Sequence, residues 1–224
     1  MSSWERWERY APLAGILAVV LWGVGIVVLS GPGHIDNNSG DTPIVVLAKY
    51  RAHHAAIQWG VWLIMLGALA FLWFVGSLRA AVSTAELGPA RLSTLVGMGG
   101  AVTSFGILLA HVPSFAAATT TDNLSAPAAK ALILMDDVFF YAAEFSVAVL
   151  FFATAVAIFR FKVLPRWLGW ASLVFAVLAV VPPVGWAILA VGLPLWTLAI
   201  SWLLFSKQYQ APPGTAAASS TPLS

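Results

Sequence analysis

The sequence predicts an all-α fold: a polytopic membrane helix bundle of six transmembrane helices, with a short outer interfacial helix between the first and second. Three observations lead there. The 224 residues are 60% hydrophobic and only 9% charged, whereas a soluble domain is about a quarter charged. A chain this apolar has nothing with which to cover a surface in water. The mean hydropathy is +0.89. The apolar residues also come in runs near the roughly 20 residues that a helix needs to cross a bilayer. Residues 1–206 read as one transmembrane domain. Residues 207–224 are rich in Pro, Ala, Ser and Thr, and read as a disordered cytoplasmic tail.

The first span is Ala11 to Ser30, behind a head carrying Trp4, Arg6, Trp7 and Arg9. Its apolar core is longer than the 7–15 residues or so of a secretory signal, so it reads as a retained helix. Thr42-Pro43 is a helix start, an N-cap followed by proline at the first helical position. Val45 to His54 then mixes apolar and basic residues and suits the membrane interface. The second span runs from Ile57 to Leu78, with Arg79 as its stop. The third runs from Leu92 to His111. Its small residues, Ser93, Gly97 and Ala101 in one row and Gly99 and Thr103 in another, allow close helix approach and place it centrally. Residues 112–130 read as a polar loop that ends in a helix start at Ser125 and Pro127. The fourth span ends before Arg160, with its hydrocarbon part near Phe139 to Ile158. Pro165 to Ser206 holds enough residues for two further spans, with a tight turn at Pro182-Pro183-Val184-Gly185. Pro194 is positioned to kink the last of them. Trp167, Trp170 and Trp186 fall near span ends, where indole rings anchor at the headgroups.

Cytoplasmic loops carry an excess of Lys and Arg. With the N-terminus inside, Arg6, Arg9, Arg79, Arg91, Arg160, Lys162, Arg166 and Lys207 are cytoplasmic. Only Lys49, Arg51 and Lys130 face out. The expected location is the cell membrane, multi-pass, with both termini in the cytoplasm. A five-span reading would move only Lys207, so the charge rule does not separate five from six. The Pro-Pro hairpin argues for six.

Ionisable groups in spans are functional suspects by default. At 100° per residue, Asp137, Tyr141 and Glu144 share one face of the fourth span, and Asp136 points away from it. Glu144 is the carboxylate clearly inside the hydrocarbon zone. His111 closes the third span and His53-His54 open the second, all on the outer side. Topology thus gathers residues that are far apart in sequence. Three readings stay open. The cluster is interfacial and solvated; or Glu144, Asp137, Tyr141 and His111 line an outward-facing pocket for a small molecule or ion; or imidazole and carboxylate hold a metal. No His-x-x-x-His or Glu-x-x-His spacing supports the metal site. A haem pair from His111 and His53 or His54 is a sub-case of it.

The absence of cysteine removes disulfides, thiolate metal sites and cysteine nucleophiles. No phosphate loop or nucleophile elbow occurs. No basic run resembles a nucleic-acid footprint. No catalytic residue and no cofactor are expected. The leading expectation is therefore a non-enzymatic accessory or assembly subunit, or a small carrier with an outward-facing polar pocket. The alternative is a membrane-embedded metal-dependent or redox enzyme using the outer His/Asp/Glu cluster. The partners expected are the lipid bilayer and, still open, a protein partner or a second copy of the chain. The pocket's small-molecule or ion ligand is not identified by the sequence.

The stretch Arg160-Phe161-Lys162-Val163-Leu164-Pro165-Arg166-Trp167-Leu168-Gly169-Trp170 carries a basic loop and then Leu-Pro-Arg-x-Leu-Gly. It resembles the opening of the fifth helix in uncharacterised six-helix integral membrane protein families of bacterial, actinobacterial type. The segment Val45 to His54 and the helix order resemble the same pattern. The resemblance implies the architecture and assigns no chemistry to any residue.

Overall fold

The computed structural model describes residues 10–31, 41–86 and 88–210. The expectations for the N-terminal head and for residues 211–224 lie outside the described residues. No strand occurs among those described.

A 3-10 turn at Ala11–Leu13 leads into α1, Ala14–Ser30. Next come α2 (Pro43–Ala85), α3 (Arg91–Leu109), α4 (Val112–Thr119) and α5 (Ala126–Phe161). The chain ends with α6 (Arg166–Ala179), α7 (Pro182–Ala187), a π turn at Ile188–Gly192, and α8 (Leu193–Gln210). Five helical units are long and apolar enough to cross a membrane: Ala11–Ser30, Pro43–Ala85, Arg91–Thr119, Ala126–Phe161 and Val184–Lys207. The sixth, α6, is apolar but has 14 residues, about 21 Å of helix. Val27, Trp73, Phe105, Phe145 and Trp202 lie exposed along the flanks of the bundle. Lipid, not water, suits such a surface. The chain is a multi-pass membrane helix bundle.

Several boundaries differ from the sequence reading. The interfacial helix is present, and it runs directly into the second span with no loop between them. It is the N-terminal arm of α2, joined to the span through a kink at His53 (φ −124°, ψ 17°). Arg79 does not end the helix, which continues to Ala85, because a long cationic side chain can lie along apolar surface. The guanidinium stem packs over Gly97, and the helix ends only before Gly88, which takes φ 109° ahead of Pro89. The expected loop after His111 contains α4, in which Ala117 and Ala118 are buried. Pro182-Pro183 is not the turn but the first turn of α7, a position where proline is favoured. The reversal lies on Val180 and Val181. The π turn directly precedes Pro194, which cannot donate to the carbonyl of Ala190. The last helix continues past Ser206 to Gln210.

Both ends of the described chain meet at one end of the bundle. Tyr10 stacks on Phe205 at 6.3 Å. Lys207 Nζ donates to the Val163 carbonyl at 2.6 Å. That end also carries Arg91, Arg160, Lys162 and Arg166, and is called the basic end below. The opposite end is the cap end. There the N-terminal arm of α2, α4 and the first turns of α5 build a small second core around Val46, Tyr50, Ile57, Ala117, Ala129 and Ile133. Lys49 pairs with Asp41 at 2.7 Å. Gln58 Nε2 donates to the Ala118 carbonyl at 2.9 Å, which satisfies an orphan acceptor at the end of α4.

The main core is a run of aromatic contacts. Trp22 meets Phe71 (5.4 Å), Phe71 meets Phe74 (5.7 Å), and Trp196 sits edge-on between Phe74 (6.2 Å) and Phe151 (5.0 Å). Trp196 Nε1 donates to Ser172 Oγ at 2.8 Å, which ties α8 to α6. α1 lies close on α2, because a Cβ on Gly25 would stand 2.8 Å from the Gly60 carbonyl. The small residues of α3 work as expected only in part. Gly99 and Gly106 abut the backbone of α5 at Leu150 and Ala143, whereas Ala101 is exposed. The central helix is α5, 61% buried along its span against 44% for α3.

At the basic end, α3 starts without a side-chain cap from its own N-cap residue, Ala90. Glu86 replaces it. Its carboxylate accepts from Leu92 N (2.8 Å), Ser93 N (3.0 Å) and Ser93 Oγ (2.7 Å). An anion at a helix N-terminus meets both free N–H groups and the helix dipole. Those backbone N–H bonds hold the Glu86 pKa below its ordinary value. A depressed carboxyl contributes stability above its unfolded-state value of about 4.3, and the contribution fades as pH falls through the folded value. Glu86→Gln is therefore expected to melt below the parent protein in detergent at pH 7. The gap should close below about pH 4. A gap unchanged by acid would contradict the capping role.

Candidate functional site

The site arises where the cap meets the bundle. The helix α5 continues without a break from one into the other, so its residues 136–144 pass the junction. α4 begins beside them, with His111 at its N-cap and no capping bond from that side chain. Pro113 has no N–H to satisfy. The N–H of Ser114 donates instead across to Asp136 Oδ1 at 3.2 Å, and Ser114 Oγ donates to Asp136 Oδ2. With its only proton given to the carboxylate, Ser114 Oγ accepts from Tyr50 Oη at 2.9 Å. Tyr50 is fully buried. The relay Tyr50–Ser114–Asp136 thus joins α2, α4 and α5.

Next to this relay is a cavity of about 610 Å³. Its walls come from Ile26, Leu29 and Ser30 of α1, and from Ile57, Val61 and Ile64 of α2. Ala110, His111 and Ser114 close one side, Pro182 and Trp186 of α7 another. α5 supplies Asp136, Asp137, Phe140, Tyr141 and Glu144. All four residues singled out in the sequence, His111, Asp137, Tyr141 and Glu144, therefore face one space. His53 and His54 do not line it; the His54 ring bonds to the Arg51 carbonyl at 3.1 Å.

Two of these side chains are chemically constrained. His111 Nδ1 meets the Ile107 carbonyl at 2.9 Å. A carbonyl only accepts, so Nδ1 carries the proton and Nε2 is the nitrogen left for other chemistry. Glu144 is 3% exposed, and its Oε1 has no hydrogen-bond partner among the described residues. The carboxylate is pressed against α7, where a Cβ on Gly185 would stand 2.6 Å from Oε2. Glycine at this position is what allows α7 to approach. A buried carboxylate without a partner is costly as an anion, so this group is completed by a proton or by a bound donor.

Asp136 is the residue that sequence reasoning missed. Helical geometry put it about 100° from Asp137, off the expected face. It is nevertheless buried and lines the cavity. The reason is α4, which covers that flank of α5 and was read as loop. Pro113 at the second position of a short apolar segment was the signal available for it. Trp186, read as a headgroup anchor, and Phe140 also line the space. Among the described residues, no three of His, Asp and Glu come together as a metal-ligand set.

No family model, curated protein or solved structure matches this chain.

If the relay holds the cap on the bundle, Asp136→Ala leaves the Ser114 N–H unpaired in a buried place. A loss of about 1–3 kcal/mol is expected. Tyr50→Phe removes one bond and should cost about 0.5–1.5 kcal/mol. Thermal or denaturant unfolding in detergent measures both, and wild-type stability in Asp136→Ala would show the relay to be incidental.

Proposed function

We propose that this membrane protein is a non-enzymatic small carrier whose outward-facing pocket receives a small solute, with Glu144 as the group that engages it. The observation that carries the reading is the Glu144 carboxylate. It is buried at the wall of a cavity with one oxygen unpartnered, an arrangement that harms stability and serves a ligand. Asp137, Tyr141 and His111 add polar atoms around the same space. The pocket volume supports a small molecule, since such sites run at about 300–1,000 Å³.

The orientation follows from charge. The basic end collects Arg91, Arg160, Lys162, Arg166 and Lys207, which supports its placement in the cytoplasm. The cap and its cavity then face outward, in the cell membrane, and both termini are cytoplasmic. The chain has no cysteine, so single substitutions report cleanly. Thr120→Cys should react with an impermeant maleimide on intact cells, and Lys162→Cys only after permeabilisation. The reverse pattern would invert the topology.

The pocket reading makes a thermodynamic demand. Replacing a buried, half-unpartnered carboxylate by an apolar side chain of similar length removes a penalty of about 1–3 kcal/mol. Glu144→Met is therefore expected to raise the unfolding free energy of the empty protein. A marked loss of stability in Glu144→Met would show that Glu144 serves the fold and would sink the reading.

A further inference from the structure

We infer that the solute taken by this pocket is an organic amine in its protonated form, with an apolar, preferably aromatic body. The inference rests on the pocket reading above and deepens it.

Charge selects first. Among the described residues, three carboxylates, Asp136, Asp137 and Glu144, line the cavity, and no Lys or Arg does. Like charges at close range in a poorly solvated site repel strongly, so an anionic solute is disfavoured. Hydrogen-bond chemistry selects next. Asp136 is already engaged by Ser114 through both oxygens. Glu144 is not: its Oε1 is buried at the wall with no partner. Carboxylate oxygens accept only, and in its neutral form the His111 ring, with Nδ1 committed to Ile107, offers Nε2 as an acceptor. Among the described lining residues, the donors besides Ser114 are Ser30, Tyr141 and Trp186, and an ammonium adds three more for the acceptors left open.

Size and wall chemistry separate an organic cation from a bare ion. A metal ion needs a compact ligand set, and no such set exists among the described residues. The cavity is about 610 Å³, far more than one ion fills. Phe140, Tyr141 and Trp186 stand among the acids. Aromatic faces attract ammonium groups through the ring quadrupole and also cover an apolar body. Ile26, Leu29, Ile57, Val61 and Ile64 complete the apolar wall.

The test uses the cysteine-free chain, reconstituted at full length. Ser30→Cys places a thiol at the cavity, Ala110→Cys is a second position, and Thr120→Cys is an exposed reference outside it. Each is treated with a cationic (trimethylammonium-ethyl) and an anionic (sulfonatoethyl) methanethiosulfonate reagent. The cationic reagent is expected to react at Ser30→Cys about tenfold faster than the anionic one, relative to the reference. Adding Glu144→Gln should shrink that preference. 2-Phenylethylamine should slow the reaction, while the isosteric 2-phenylethanol and phenylacetate should not. Equal rates for the two reagents, or equal protection by all three compounds, would overturn the amine assignment and leave an accessible pocket standing. No reaction with either reagent at Ser30→Cys and Ala110→Cys would overturn the pocket reading itself.

Discussion

The hydrocarbon layer of a bilayer is about 30 Å thick, and about 20 helical residues cross it. α2 has 43 residues and α5 has 36, about 64 and 54 Å of helix. Neither can be held by the membrane alone. Their surplus runs into the interface or past it, and apolar helix there needs something to pack against. α4 and the kinked arm of α2 supply that, and the second core forms between them. The cavity lies at the junction between the two cores. The site is therefore a consequence of helix length.

The polar groups at the junction divide the work. Asp136 is fully employed, holding the start of α4 and, through Ser114, the Tyr50 hydroxyl. Glu144, two turns deeper on the same helix, has no such employment for Oε1. Two carboxylates on one helix thus differ in role because of which element lies beside each. The α4 terminus offers donors to Asp136. α7, brought in by Gly185, offers Glu144 only a packed surface.

How much of this was legible in the sequence depends on length scale. The spans followed from runs of apolar residues, and the convergence of His111, Asp137, Tyr141 and Glu144 followed from topology plus 100° per residue. What was not legible came from context. Nothing local to Ala117 and Ala118 says that a polar-flanked segment will fold back as α4. Without α4, helical geometry places Asp136 off the face that matters. Arg79 looked like a terminator because charge is expensive in lipid, but its stem lies along Gly97 of the neighbouring helix. Pro182-Pro183 looked like a turn because proline breaks helices, yet at the first positions of α7 it starts one. Each difference is a local signal overruled by a neighbour that one-dimensional reading does not see.

The central claim is that Glu144 sits at the wall of an open cavity, held there without a protein partner for Oε1 among the described residues. The most direct test is an experimental structure in lipid nanodiscs at a resolution that shows ordered water. The Glu144 carboxylate should then bond to water or to a bound solute and to no protein donor, with the space between α4, α5 and α7 open. A protein donor on that carboxylate, or a cavity filled by neighbouring side chains, would contradict it.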